Sequence, residues 1–127
     1  MYPKNLKYDR EHEWVRVEGD VAVLGISHFA QDQLGEVVYV DLPSAGDSVN
    51  AGESFGEIES VKSVSELFSP VTGEIIEVNE GLGDAPEAVN EDPYGEGWMV
   101  KVEMSDPTEL DELMSVDEYK AFIAEEA

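Results

Sequence analysis

One lysine, Lys62, lies alone in a long acidic stretch of the chain. Between Arg16 and Lys101 the sequence runs for 84 residues, which include 18 aspartates and glutamates but no other lysine or arginine. A primary amine in such a setting is a candidate nucleophile or a candidate point of covalent attachment. The competing interpretation is a solvated surface lysine that balances the charges of Glu57 and Glu59.

The residues around Lys62 favour attachment over catalysis. A lysine that forms a Schiff base is normally buried, because desolvation lowers the pKa of such an amine. Here Glu59 and Glu66 bring negative charge close to the amine, and three nearby serines suit a solvated loop tip. We therefore expect an exposed lysine on a turn, which is suited to receiving a modification.

The rest of the chain shows no pattern of an enzyme active site. Cysteine is absent, which excludes disulfides, thiolate metal sites and cysteine nucleophiles. The sequence contains neither a phosphate-binding glycine-rich loop nor a G-x-S-x-G nucleophile motif. His12 and His28 lack the spacing of metal ligands, so we expect them to pack or to cap and predict no metal site.

The composition indicates one acidic domain. The chain has 127 residues, of which 30 are acidic and 7 basic, giving a net charge of −23, and 42% are hydrophobic. This charge repels phosphates, so nucleic acid and membranes are excluded as default partners. The absence of a long apolar run and of a signal-peptide pattern predicts a cytoplasmic protein. We interpret the dispersed acidity as adaptation to a salt-rich cytoplasm.

Short strand signals followed by helical ones predict a mainly β fold. The C-terminal flank, about 107–126, is expected to be helical, with a short helix at 108–114. A capping box at Ser115 and Glu118 then precedes the apolar stripe of Tyr119, Phe122 and Ile123. We expect a single domain over 1–127, an antiparallel sandwich or barrel. Its predicted strands are 14–17, 21–24, 36–42, 54–60, 63–68, 73–78 and 97–103, with a one- or two-turn helix at 27–34 and a long loop at 79–97.

Several motifs, in order along the chain, resemble the H protein of the glycine cleavage system, a lipoyl carrier. Generic lipoyl domains carry Asp-Lys-Ala at the attachment point and biotin carriers Met-Lys-Met, whereas this chain has Val61-Lys62-Ser63. The motifs that carry the resemblance are His12-Glu13-Trp14-Val15, Gly25-Ile26-Ser27 with Ala30-Gln31, Leu34-Gly35-Glu36-Val37-Val38-Tyr39-Val40-Asp41-Leu42-Pro43, Phe55-Gly56-Glu57-Ile58-Glu59-Ser60-Val61-Lys62-Ser63, Ser69-Pro70-Val71-Thr72-Gly73-Glu74, Val78-Asn79-Glu80 and Asn90-Glu91-Asp92-Pro93-Tyr94-Gly95-Glu96-Gly97-Trp98.

The resemblance implies a flattened barrel-sandwich hybrid with Lys62 at a hairpin tip, carrying lipoate as N6-lipoyllysine. It implies a non-catalytic carrier that takes the aminomethyl group of glycine from a pyridoxal-phosphate glycine decarboxylase to a tetrahydrofolate-dependent aminomethyltransferase. The carrier would then present its dithiol to a flavin-containing dihydrolipoamide dehydrogenase. A lipoyl-attaching enzyme is the further partner that this resemblance implies.

The resemblance also implies roles for five other residues. Glu59 and Gly73 would serve recognition by the attaching enzyme, although Gly73 is equally interpretable as a plain turn glycine. Glu13, Glu66 and Gln33 would line a cleft for the cationic, loaded arm. Relatives often have Asp at position 66, and some have His at position 33. Ordinary surface charge is the competing interpretation of both glutamates.

Two other functions remain open at this point. An H-like protein that relays lipoate to other enzymes would also need Lys62. An unmodified interaction module would have Lys62 as a bystander. Loading by the decarboxylase in the presence of glycine distinguishes the lipoate relay from a glycine cleavage carrier, because a relay protein would not be loaded.

The salt hypothesis predicts that the melting temperature rises between dilute buffer and molar KCl. Screening shortens the range of charge repulsion to roughly 3 Å at 1 M salt, which relieves the self-repulsion of the folded chain. Calorimetry over a KCl series measures the effect. A melting temperature that does not rise contradicts the hypothesis.

Overall fold

Two antiparallel sheets and several short helices form the structure, a computed structural model that describes residues 2–126. Met1 and Ala127, the ends of the predicted domain, lie outside the described residues. The strands are β1 (Lys7–Tyr8), β2 (Glu13–Glu18), β3 (Val21–Ile26), β4 (Val37–Asp41), β5 (Ser48–Val49), β6 (Ser54–Ser60), β7 (Val64–Phe68), β8 (Gly73–Val78) and β9 (Val100–Met104). The helices are α1 (His28–Leu34), α2 (Gly81–Asp84), α3 (Ala88–Glu91) and α4 (Val116–Glu126), with a 3-10 helix at Pro107–Glu112.

The larger sheet has the strand order β1-β2-β3-β9-β8-β5, and the smaller sheet has the order β4-β6-β7. All neighbouring strands are antiparallel. The mainly β class, with short helices and a C-terminal helix, is confirmed. Among the residues described, no strand pairing joins the two sheets into a closed barrel, so the contacts between the sheets are made by side chains and loops.

Apolar side chains from alternate strand positions fill the interior. One cluster centres on the larger sheet and includes Val15, Ile75 and Val102, all at most 1% exposed. A second cluster lies under the smaller sheet and includes Ile58 and Leu67. Buried and more exposed positions alternate along β9, whereas β3 is buried at five consecutive positions because its two faces pack on different clusters.

The segment 79–97 was predicted as a loop, and this was wrong in part. It contains α2 and α3, each four residues long, anchored by the buried side chains of Leu82 and Val89. One turn of helix is too short to show a 3.6-residue period in the sequence, so the glycines and prolines of this segment indicated a loop instead. The two-residue strand β1 was also missed, because its pairing with β2 depends on tertiary contacts.

The C-terminal flank follows the prediction closely. The backbone N–H of Ser115 donates to Glu118 Oε1 at 2.9 Å, and the N–H of Glu118 donates to Ser115 Oγ at 3.2 Å. These bonds form the expected capping box and lower the pKa of Glu118. Tyr119 is fully buried in the cluster of Tyr8 and Trp14.

Within residues 2–126, none of the helices has the length and apolar character needed to span a membrane.

Candidate functional site

Lys62 lies exposed at the tip of the hairpin that joins β6 to β7. The N–H of Ser60 donates to the carbonyl of Ser63 at 2.8 Å, which closes the turn. Ser60 Oγ accepts the N–H groups of Lys62 and Ser63, both at 3.2 Å. The hydroxyl thus ties the backbone on both sides of the lysine, and the tip is an ordered turn that presents an amine to solvent.

A cleft of about 490 Å³ opens beside this hairpin. Helix α1, the turn before β2, strand β7 and the end of α4 provide its walls. All three predicted cleft residues line it: Glu13, Gln33 and Glu66. Ser63, next to Lys62, lines it as well, so the lysine stands at the rim of the cleft.

Glu13 is the buried carboxyl of this cleft, with only 3% of its surface exposed. Its Oε2 accepts the backbone N–H of Phe68 at 2.6 Å. Among the described residues its other oxygen, Oε1, meets no donor. Burial raises the pKa of Glu13 well above its usual range, and the negative charge of Asp9 raises it further.

Asp9 is a functional neighbour that the sequence analysis did not identify. Its Oδ1 accepts the N–H groups of Glu11 and Glu13, at 3.0 and 2.9 Å. Burial raises the pKa of Asp9. Burial and the nearby charge of Asp9 both favour the protonated form of Glu13. In the sequence, an aspartate at this place indicates a turn, and nothing in the pattern indicates that its carboxyl lies beside that of Glu13.

His12 and Glu126 also line the cleft and were not predicted there. His12 has a positive φ of 67° and lies between the rings of Phe29 and Phe122. Its Nε2 lies 2.9 Å from Glu126 Oε2, and its Nδ1 lies 2.9 Å from the Tyr119 hydroxyl. The histidine packs, as expected, and attaches the C-terminal helix to the cleft wall.

The structure does not bring Glu59 and Gly73 together. Glu59 is half-buried on β6, next to the lysine turn, whereas Gly73 begins β8 in the other sheet. The interpretation of Gly73 as a turn glycine is wrong, because it lies in a strand. A Cβ there would collide with the carbonyl oxygen of Glu103. Close packing of β8 on β9 therefore requires glycine, and a recognition role for Glu59 and Gly73 stays a prediction.

We predict that Glu13→Gln changes how stability depends on pH. Because the folded-state pKa of Glu13 is raised, its stabilising effect is complete below the unfolded value of about 4.3 and is lost as the pH rises through the folded-state pKa. Glutamine keeps an acceptor for Phe68 and a donor for Asp9 without this loss. The variant should melt about 3–5 °C above the parent at pH 7–8, and the difference should shrink towards pH 4.

The matched control is Glu66→Gln, which removes one charge from the exposed part of the same cleft. Relief of the repulsion from Glu57 across the strands should raise its melting temperature at pH 7–8 by less than in Glu13→Gln. Parallel curves for Glu13→Gln and the parent would show that Glu13 is not protonated in the folded chain.

Comparisons with known proteins agree with this arrangement. The family model for the glycine cleavage H-protein matches residues 6–126. A glycine cleavage system H protein of Carboxydothermus hydrogenoformans is 53% identical over 126 residues, covering 99% of this chain and 97% of the relative. That of Anaeromyxobacter sp. strain K is 59% identical over 124 residues, covering 98% and 97%.

The crystal structure of a glycine cleavage system H protein from Mycobacterium marinum superposes with a TM-score of 0.89 at 38% identity. The match covers 96% of this chain and 98% of that one. Sequence and fold therefore agree over nearly the whole length. The chain belongs to the glycine cleavage H-protein family, a non-catalytic component of the glycine cleavage system rather than an enzyme.

Proposed function

We propose that this chain is a lipoyl-bearing carrier. It receives the aminomethyl group of glycine from the glycine decarboxylase and delivers it to the tetrahydrofolate-dependent aminomethyltransferase. It then presents its dithiol to dihydrolipoamide dehydrogenase. The observation that carries the proposal is the exposed Lys62 on an ordered turn at the rim of a carboxylate-lined cleft. Family membership supports it.

The residues present fit a lipoyl group on Lys62. The amine is exposed, so an attaching enzyme can reach it, and the cleft beside it has room for a flexible arm. Lipoate supplies a pair of thiol-forming sulfurs, which a chain without cysteine lacks. Attachment as N6-lipoyllysine also removes the lysine charge.

Glu13 gives the cleft its response to a cationic amine. Burial makes the Glu13 carboxyl costly to ionise, so the resting cleft favours a proton on it. A nearby ammonium favours the charged form of a carboxylate, so docking of the amine and loss of this proton are coupled. Glu66 and Gln33, both exposed, add a charge and an amide at the open side of the cleft.

The outer face of the smaller sheet, next to Lys62, is the surface proposed for the partner enzymes. Asp41, Glu57 and Glu66 lie opposite one another across β4, β6 and β7, forming one row of carboxylates. Val61 and Val64 beside the lysine are 66% and 57% exposed. Such a surface fits a partner with an apolar patch bordered by basic side chains. The decarboxylase, aminomethyltransferase and dehydrogenase would bind it in turn.

The proposed setting is a salt-rich cytoplasm. Among residues 2–126 the structure has three ion pairs, Arg16–Glu18, Lys101–Glu77 and His12–Glu126. Most carboxylates are therefore balanced by solvent ions, which is easier at high ionic strength.

Intact mass followed by a tryptic map tests the attachment. Trypsin does not cleave at an acylated lysine, so we expect the fragment 17–101 to survive, heavier by a single lipoyl group. Lys62→Arg is the matched control, because arginine restores cleavage and cannot be lipoylated. An unmodified mass with cleavage after Lys62, in protein from its native cells, would contradict the proposal and favour the unmodified module.

Glycine-dependent loading separates the carrier from a lipoate relay. The lipoylated chain should gain an aminomethyl group when it is incubated with its decarboxylase and glycine. A relay protein would remain unloaded under the same conditions.

The carboxylate row predicts that Glu57→Lys slows partner reactions without loss of stability. The new lysine lies between Asp41 and Glu66, so it replaces like-charge repulsion by attraction, worth about 0.2–1 kcal/mol. The melting temperature should stay or rise, whereas kcat/KM with dihydrolipoamide dehydrogenase, per lipoyl group, should fall several-fold at low salt.

Glu103→Lys is the matched control, since Glu103 faces Glu74 across β8 and β9 on the other sheet. It relieves the same kind of repulsion and should leave the dehydrogenase kinetics unchanged. Equal losses of stability and of activity in Glu57→Lys would show instead that Glu57 is structural.

A further inference from the structure

The side chain of Lys62 lies across a glycine of a neighbouring element. Gly35 follows the last residue of α1, and a Cβ built on it would lie 3.1 Å from Lys62 Cε and 3.8 Å from Cδ and Nζ. A contact of 3.1 Å is tighter than nine in ten real Cβ contacts. A Cβ at position 35 would therefore push the lysine methylenes aside by a few tenths of an ångström.

The backbone at Gly35 also requires glycine. Its φ of 80° and ψ of −156° lie in a region that is essentially restricted to this residue. In this conformation the Gly35 N–H donates to the carbonyl of Gln31 at 3.0 Å and ends the helix. The chain then turns directly into β4, passing under the lysine hairpin.

The hairpin tip is attached to the same connection. The N–H of Val61 donates to the carbonyl of Glu36 at 3.0 Å. We call the Gly35–Glu36 backbone the lysine seat. No carboxylate among residues 2–126 forms an ion pair with Lys62, and the methylenes of its side chain pass over the seat. These contacts do not need the amine charge and would persist in an amide.

Asn90, on α3, holds the lysine seat from the other side. Its Nδ2 donates to the carbonyl of Gly35 at 2.8 Å and to Gln31 Oε1 at 3.0 Å. Its Oδ1 accepts the N–H of Val37 at 2.8 Å. One side chain thus binds the connection before, at and after Gly35.

We propose that Gly35 and Asn90 are positioning residues that set the direction in which the lipoyl arm leaves the chain. Leu34, which precedes the seat, and Ser63, which follows Lys62, both line the cleft, so the seat directs the root of the arm along the cleft rim. This inference rests on the proposed carrier function. It assigns a role to the first residue of the motif that begins at Asn90.

Relaxation of [ε-13C]lysine measures the order of the Lys62 side chain in both the unmodified and the lipoylated chain. Lys4 and Lys120, both exposed, are internal references in the same spectrum. We expect the Cε of Lys62 to be more ordered than theirs, and to fall to their level in Gly35→Ala and in Asn90→Ala.

Two matched variants control for general loosening. Gly46→Ala introduces an alanine at a φ of 100°, where a Cβ meets nothing within 4 Å. Asn79→Ala removes an amide that bridges the carbonyls of Glu96 and Trp98, at 2.8 and 2.7 Å. Both should leave the Lys62 order unchanged. These controls separate loosening of the lysine seat, expected in Gly35→Ala and Asn90→Ala, from the effects of backbone strain or lost hydrogen bonds elsewhere in the chain.

The functional readout is the reaction of the lipoylated chain with dihydrolipoamide dehydrogenase. When the Lys62 side chain samples many directions, the lipoyl arm attached to it is less often in the orientation that reacts. KM should therefore rise about three- to tenfold in Gly35→Ala and Asn90→Ala, with kcat unchanged. The two control variants should keep the parental KM.

The proposal is overturned if Lys62 Cε is as mobile as Lys4 in the parent chain. It is equally overturned if the controls lose as much order as the seat variants, or if order is lost while KM stays constant. Absence of lipoate on Lys62 in the parent would refute the carrier function instead. The relaxation data on the unmodified chain would still show whether the lysine seat exists.

Discussion

The hydrogen bond from Phe68 N–H to Glu13 Oε2 is the constraint on which the site depends. Glu13 belongs to the larger sheet and Phe68 ends the edge strand of the smaller one, and no strand pairing joins the two sheets among the described residues. This bond therefore fixes their separation at the cleft. It also buries a carboxyl beside Asp9, and this burial raises the pKa of Glu13.

A buried carboxyl is a poor way to hold two sheets together. A well-packed apolar contact at the same place would avoid the desolvation cost of the charged form. The raised pKa of Glu13 shows that this cost is present in the folded chain. A site that accepts an ammonium group needs such a carboxyl, and binding sites often lower the stability of a fold in this way.

The carrier lysine combines an ordered root with a solvent-facing end. Ser60 closes the turn, the Gly35–Glu36 backbone supports the methylenes, and Asn90 fixes that backbone. An arm with an ordered root explores a smaller region than one on a mobile loop, so its end is more concentrated where it must react. The row of carboxylates beside the turn adds long-range attraction for basic partners, which salt screens.

The sequence by itself determined much of this protein. The isolation of Lys62, the hairpins, the capping box at Ser115 and the acidic surface are local or compositional properties, so they could be predicted from patterns along the chain. The cleft residues Glu13, Gln33 and Glu66 came from resemblance to a family and do lie in one cleft. Short elements such as α2 and α3 were missed because one turn shows no period.

Only the tertiary structure decided which residues act together. Asn90 and Gly35 are 55 positions apart, and Glu13 and Phe68 are also 55 apart. A hydrogen bond between distant positions leaves no periodic signal in either segment, since each residue is locally acceptable in many folds. Two features exist only once the sheets, α1 and α3 have packed. One is the burial that raises the pKa of Glu13, and the other is the path of the Lys62 side chain over Gly35.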